Sequence, residues 1–503
     1  MSRLTTRLAR PLGWRARLAA APPSDRAVLL HRAELVVSTL TGETAPGDRA
    51  AVVSRLEELL APAEPSAVWL ALSVLEGRLA TVAEVHRAVR AIRLDGVGQA
   101  LGASVARLLS SWLPPRLPHP EVRVLTGAVL VDLDHTARTG LATGIQRVAR
   151  ETVRRWDRDH DVVLVGWGAE YRQLRALSPA ECIMALTGVG TPDAEAGGDV
   201  VVPWRCTYLL PELSLERERN DRISAIAQYA EGRTGVIGFD CVPITTAETT
   251  ALGVSEAFAL NLAAVRHMDG VSTISRAAAT EYGGWRTMLA SVGSEGPRIT
   301  PDLLPAEAAP STADELAAAA AELTIPGLPM VLCVGTHEPR KNHLALLHAA
   351  ELLWREGVQF NLVLLGGRSW NDTRFRQALD EARRRNRPVS TPPAMSDAML
   401  WAAYRLARVM VFPSLNEGYG LPVAEALACG TPVITSGYGS MAEIAANGGG
   451  LLVDPRDDHD LTRALRTVLS DDDVHARLSA EAAARPVRTW DDYARDVWDS
   501  LVQ

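Results

Sequence analysis

After residue 120 the chain is built from short apolar runs separated by stretches of helical period, and the series occurs twice. The first series holds "VRVLTGAVLVDLD", "DVVLVGWG", "GVIGFDCVP", "DGVSTIS" and "RITPDLLP", with "TGIQRVARETVRRW" as a helix between the first two. The second holds "MVLCVG", "FNLVLLG", "RVMVFPS", "TPVIT" and "GLLV", each followed by a helical stretch. Runs that stay apolar along their length read as strands buried on both faces, and strands alternating with helices form parallel sheets. The expected fold class is α/β: two facing Rossmann-like doubly wound domains, residues 120–305 and 326–486, divided by the Ala/Pro/Glu-rich "LPAEAAPSTADELAAAAAEL". In such folds ligands bind in the crevice at the C-terminal ends of the strands.

Residues 25–113 have apolar positions at helical spacing, with breaks at "TGETAPGD", "APAEP" and "DGVG", and are expected to form packed helices. The prolines of "LPPRLPHP" end that region. Whether it dimerises or binds lipid or protein is open. Residues 1–24 carry Arg3, Arg7, Arg10, Arg15 and Arg17 and no acid, interleaved with Leu4, Leu8, Leu12, Trp14 and Leu18. Two readings are open: a basic amphipathic segment on an anionic membrane, or a helix docked on the protein's own surface. A transit peptide is a third, confined to a eukaryotic source.

The formal net charge of −8 argues against a nucleic-acid partner, and 47% hydrophobic residues suffice for large cores. Five scattered cysteines with no CxxC pair indicate neither a disulfide framework nor a zinc site, which fits a reducing cytoplasm. No apolar run is long enough to span a bilayer, and no signal-peptide segment is apparent. Peripheral contact at the inner face of the cytoplasmic membrane is therefore the most that is expected.

Of the 52 basic residues only one, Lys341, is lysine. A compact ammonium retained against such a preference for arginine asks for a reason that a planar guanidinium cannot meet. Arg340 and Lys341 follow the run "MVLCVG" and its Gly335, in the loop before a helix, where anions are favoured. Gly366 and Gly367 end the next run, where missing side chains admit a ligand to the backbone. In "NEGYGLPVAEALACGTPV" Glu417 lies in a loop and Glu425 in the helix that Pro422 opens, with seven residues between them. Singly, these acids read as a solvated loop acid and a helix-dipole partner. Together they can accept hydrogen bonds from different hydroxyls of one ligand.

"VGTHEPRKNH", "EGYGLPVAEALACGTPV", "GSMAEI" and "GGGLLVDP" occur in that order and resemble the donor half of retaining family-4 glycosyltransferases of GT-B fold, of the bacterial polysaccharide type. "TGLATGIQRVARE", "GFDCVP" and "VSTISRAAATEY" are similar to landmarks of the acceptor half, except that Phe239 stands where such enzymes often have His or Tyr. "TWDDYARDVWDSLV", within 487–503, resembles the last helix that returns to the first domain. Thr143 and Gln146 have capping-box spacing at the start of the "GIQRVARE" helix.

The resemblance implies a hexosyltransferase that uses a nucleotide-diphosphate sugar with retention of configuration, no cofactor and no essential metal. Its acceptor would be a glycan or lipid-linked sugar in cell-surface polysaccharide synthesis. Arg340 and Lys341 would neutralise the leaving diphosphate, Glu417 would bind sugar hydroxyls and Glu425 the ribose. Gly140 and Gly144 would approach the phosphates, and Gly418, Tyr419, Gly420, Leu421, Ser440 and Glu443 would line the donor cleft. Asp240 would position the acceptor hydroxyl.

"DLDH" at Asp132 is weighed as a metal-binding DxD and set aside, and "DDHD" at Asp457 and "DDD" at Asp471 read as acidic helix starts. No GxSxG, P-loop or HExxH motif is present. The competing readings are a GT-B phosphorylase or epimerase, the phosphorylase with Lys341 as a pyridoxal Schiff base, and a non-catalytic sugar-nucleotide sensor or scaffold.

Overall fold

A computed structural model describes residues 13–102, 120–140, 143–191, 198–367, 369, 372–392 and 395–503. Most of the "LPPRLPHP" linker and Arg3, Arg7 and Arg10 lie outside these residues.

The helical region opens with Trp14–Ala20, Pro23–Thr41, Arg49–Leu60, Pro65–Glu76 and Val82–Asp95. Local chemistry sets these bounds. Pro23 and Pro65 open their helices, left-handed Gly42 and Gly77 close two, and Thr81 with Glu84 forms a capping box. From Trp14 onward the chain docks on its own helices: Trp14 and Leu18 are buried, and the Trp14 indole N–H donates to Glu57 at 2.8 Å. The helices also share one continuous apolar cluster with the sheet that follows. Buried Arg32 ties the two together, donating to the carbonyls of Leu75 at 3.0 Å and Pro120 at 2.8 Å.

The first α/β unit contains β1 (Val122–Thr126), β2 (Val129–Asp132), β3 (Val162–Trp167), β4 (Leu174–Ala176), β5 (Val200–Trp204), β6 (Thr207–Leu210), β7 (Arg233–Gly238), β8 (Gly270–Thr273) and β9 (Arg298–Pro301). The main sheet has the order β4-β3-β2-β6-β7-β8-β9, parallel except for β4. The second unit contains β10 (Met330–Val334), β11 (Asn361–Leu365), β12 (Val389–Ser390), β13 (Val409–Phe412), β14 (Val433–Ser436) and β15 (Gly450–Val453), in the all-parallel order β12-β11-β10-β13-β14-β15. Both orders reverse direction beside the central strands, which places a crevice beyond their C-terminal ends.

Two expectations change. "VRVLTGAVLVDLD" is two strands, because left-handed Gly127 turns the chain between them, and β1 pairs with β5 in a separate two-stranded sheet. The run "VVVPWRCTYLL" likewise supplies β5 and β6, two strands beyond those expected.

The two units are strapped together by the helix Trp490–Val502. The Trp156 indole N–H, on the first unit's Gly144–Asp159 helix, donates to the Ala494 carbonyl at 2.9 Å, and the Trp156 ring meets Trp498 edge-on at 5.7 Å. Arg233 donates to the Val502 carbonyl at 2.9 Å. Trp156→Ala is expected to lower the unfolding free energy by about 3–5 kcal/mol. Trp156→Phe, which keeps most of the ring area, should lower it by clearly less in the same guanidinium titration.

Candidate functional site

The loop after β10 is built to hold its side chains still. A short 3-10 turn spans Pro339–Lys341, and Asn342 ends it in the left-handed region at φ 58°, with its side chain donating to the Pro455 carbonyl at 2.8 Å. The loop after β13 is stitched alongside: the Leu415 N–H and the Ser414 hydroxyl donate to the Arg340 carbonyl at 2.8 and 3.1 Å. Arg340 in turn donates to the Asn416 carbonyl at 2.7 Å.

This stitching brings three charges together. Lys341 Nζ lies 2.6 Å from one Glu417 oxygen and the Arg340 guanidinium 2.7 Å from the other, while the Ser414 hydroxyl donates to the first at 2.7 Å. The ammonium also sits 5.0 Å from the centre of the Phe412 ring, a cation–π distance. Burial pushes the Glu417 carboxyl up, but Lys341, Arg340 and the Ser414 hydrogen bond outweigh it and hold the group at about 2. For Arg340, burial opposes the charge and Glu417, Glu338 and Asp240 more than offset it, so its pKa is raised. Ser440, fully buried, donates to the Glu417 carbonyl at 2.8 Å and fixes the backbone of that loop.

Glu425 is held apart from this cluster. It is buried on the helix Leu421–Ala428, where the Tyr404 hydroxyl donates to one oxygen at 2.7 Å. Arg147, from the first unit, pairs with the other oxygen.

The first unit closes over these loops. A Cβ on Gly418 would overlap the Phe239 carbonyl oxygen and lie 2.8 Å from Asp240 Oδ2, so glycine is what allows the two lobes to touch there. The Ser275 hydroxyl donates to the Gly418 carbonyl at 2.6 Å and the Tyr419 hydroxyl to that of Leu304 at 2.9 Å. Asn416 donates to Thr245 at 2.9 Å and to Glu281 at 3.3 Å. Asp240 accepts the Val242 N–H at 3.1 Å, and burial, opposed by Arg340, lifts its carboxyl to about 6.

Several residues sit differently from expectation. Glu443 faces the opposite lobe, where it accepts the Arg276 and Ala277 N–H groups at 3.2 and 3.1 Å and so caps the helix Arg276–Ala290. Tyr419 spends its hydroxyl, and Ser440 its own, on carbonyls. A Cβ on Gly366 would overlap the Gly335 carbonyl, so this glycine serves the contact of two strand ends; Gly367 faces open space. Gly420 supplies a left-handed φ of 105° at the helix start, and Leu421 meets Gly144 across the lobes, 3.6 Å from where that residue's Cβ would lie. Gly140 is exposed beside the Gly188 carbonyl.

The Thr143 hydroxyl makes no capping bond to the backbone. It meets the Gln146 side chain, which contacts His135 at 3.1 Å. Asp132 is buried, with its oxygens taken by Trp167 at 2.6 Å, Arg219 at 2.9 Å and Tyr208, a structural hub. Asp457 and Asp471 do cap helices, accepting N–H groups of His459 and Val474. Arg147, Tyr404, Ser414, Ser275 and Glu281 were not singled out from sequence. Arg147 is one arginine among many, and only its partner across the cleft distinguishes it.

Residues 318–485 match the family described as "Glycosyl transferases group 1". The serotype-specific mannosyltransferase WbdA of Escherichia coli is 28% identical over 345 residues, 64% of this chain and 40% of the relative. The O-antigen chain mannosyltransferase B of the same organism is 36% identical over 157 residues, 31% of this chain and 40% of the relative. The chain thus spans about 40% of the length of these curated relatives. Among solved structures, Anabaena HepE in complex with UDP-glucose aligns with a TM-score of 0.54 at 13% identity, covering 74% of this chain and 99% of that one. The fold is GT-B, and within it residues 318–485 are similar to the group 1 glycosyl transferases.

Proposed function

We propose that the protein transfers a hexose from a nucleotide-diphosphate sugar to a glycan or lipid-linked acceptor in the synthesis of a bacterial surface polysaccharide. The observation that carries this reading is the meeting of Lys341, Arg340 and Glu417 at the C-terminal ends of β10 and β13, against Asp240 of the facing lobe. Two fixed cations suit a leaving diphosphate, Arg340 by its directed fork and Lys341 as a point charge. Glu417, ionised through the neutral range, is an acceptor for sugar hydroxyls, and Glu425 for those of the ribose. Two of the relatives are mannosyltransferases by name, so mannose is the first donor sugar to test.

Leaving-group stabilisation and positioning supply the catalysis, with no protein nucleophile required. The acceptor attacks on the face that the nucleotide leaves, which retains configuration, and Arg340 and Lys341 neutralise charge without a metal. Asp240, ionised above about 6, holds the acceptor hydroxyl.

A nucleotide sugar at about 100 times its Kd should add about 2.7 kcal/mol of stability in a thermal-shift panel. No shift with any donor would overturn the reading in favour of a scaffold. In a transfer assay, NMR of the product should show the donor's anomeric configuration, and EDTA should leave the rate intact.

Glu417→Gln should slow transfer by about one to two orders of magnitude through loss of one charge-assisted hydrogen bond. Because the folded pKa of Glu417 is depressed from 4.5 to about 2, its contribution to stability is present above pH 4.5 and is lost as pH falls toward 2. The stability gap between wild type and Glu417→Gln should therefore narrow in denaturant titrations taken from pH 5 down to pH 3.

The raised pKa of Asp240 has the opposite sign: the carboxylate forms only as pH passes about 6. The wild-type kcat/KM should rise through that region. Asp240→Asn should lower it and flatten the rise.

A further inference from the structure

Both carboxylate oxygens of Glu425 already have protein partners. Tyr404 serves one from within the donor lobe, and Arg147 reaches the other from the facing lobe. The two partners differ in freedom. Tyr404 is fully buried, whereas the Arg147 side chain is 35% exposed and its guanidinium carbon lies 5.9 Å from the centre of the Trp401 ring, at the limit of a cation–π contact. Arg147 can swing into solvent, and Tyr404 cannot leave without breaking its packing.

We propose that Arg147 is a gate on the donor site: it competes with the nucleotide ribose for Glu425, and the nucleotide enters by displacing it. The inference rests on the reading of Glu425 as the ribose ligand. A ribose presents adjacent hydroxyls that both seek acceptors, and the Glu425 oxygen not engaged by Tyr404 is the one that Arg147 covers. Arg147 stands near the start of the Gly144–Asp159 helix, so its release also loosens one of the polar links between the lobes. Donor affinity is then set partly by a residue that never touches the bound donor at Glu425. Arg147 leaves toward solvent while ribose hydroxyls take its place, so the buried Glu425 carboxylate is not left without a partner.

The test is isothermal titration of UDP, GDP and ADP into the full chain and its Arg147→Ala, Arg147→Lys and Glu425→Gln variants, with melting temperatures taken alongside. For whichever nucleotide binds, Arg147→Ala is expected to bind about fivefold more tightly, the worth of one partly exposed ion pair removed from the competition. Arg147→Lys should return the affinity toward the wild-type value. Weaker binding by Arg147→Ala would mean that Arg147 grips the nucleotide, and unchanged binding would mean that it does not compete; either overturns the gate. Glu425→Gln separates the two ideas. If, added to Arg147→Ala, it leaves that variant's affinity unchanged, the ribose assignment itself is wrong, whereas weakened binding beside an inert Arg147→Ala removes the gate alone.

Discussion

The buried ion cluster of Arg340, Lys341 and Glu417 is the constraint around which the rest of the structure is arranged. Taking three charges out of water is costly, and their attraction offsets the penalty only when geometry and secondary hydrogen bonds are good. The loops after β10 and β13 supply that geometry by bonding to each other through Arg340, Ser414 and Asn416. Removing either cation would leave Glu417, whose side chain is mostly withdrawn from solvent, under-compensated. The chain's single lysine therefore has a defined place: a compact ammonium between a carboxylate and the Phe412 ring.

The facing lobe completes this site without being fused to it. Polar links cross between the lobes, Ser275 with Gly418, Asn416 with Thr245 and Glu281, Glu443 with the Arg276 helix start, and Arg147 with Glu425, beside an apolar cluster that holds side chains of both units. The strap helix Trp490–Val502 extends that cluster, since Trp490, Tyr493, Val497 and Leu501 bury apolar surface. It holds the units together.

Much of the fold was legible because parallel strands buried on both faces leave unmistakable apolar runs, as in "MVLCV" and "NLVLL". "VRVLTGAVLVDLD" misled because its one turn, at Gly127, adds no polar break to an apolar stretch. At the site, position in strand-to-helix loops was enough to expect Arg340, Lys341 and Glu417 on one side of the donor lobe, where they meet as ion pairs. It was not enough to assign Glu443, Tyr419 or Gly366, whose partners come from remote segments or the other lobe. A glycine reads the same in sequence whether it admits a ligand or a neighbouring carbonyl. Arg147 was hidden for the converse reason, an ordinary residue made special by what faces it.

The central claim is that the Lys341 and Arg340 pair binds the diphosphate of a nucleotide. Its most direct measurement compares the affinity of a nucleoside diphosphate with that of the corresponding monophosphate, in wild type and in Lys341→Gln. Wild type should prefer the diphosphate by about tenfold or more, the worth of one charge-assisted hydrogen bond, and Lys341→Gln should lose most of that preference. Equal affinities for the two nucleotides in wild type, or a preference untouched by the substitution, would contradict it.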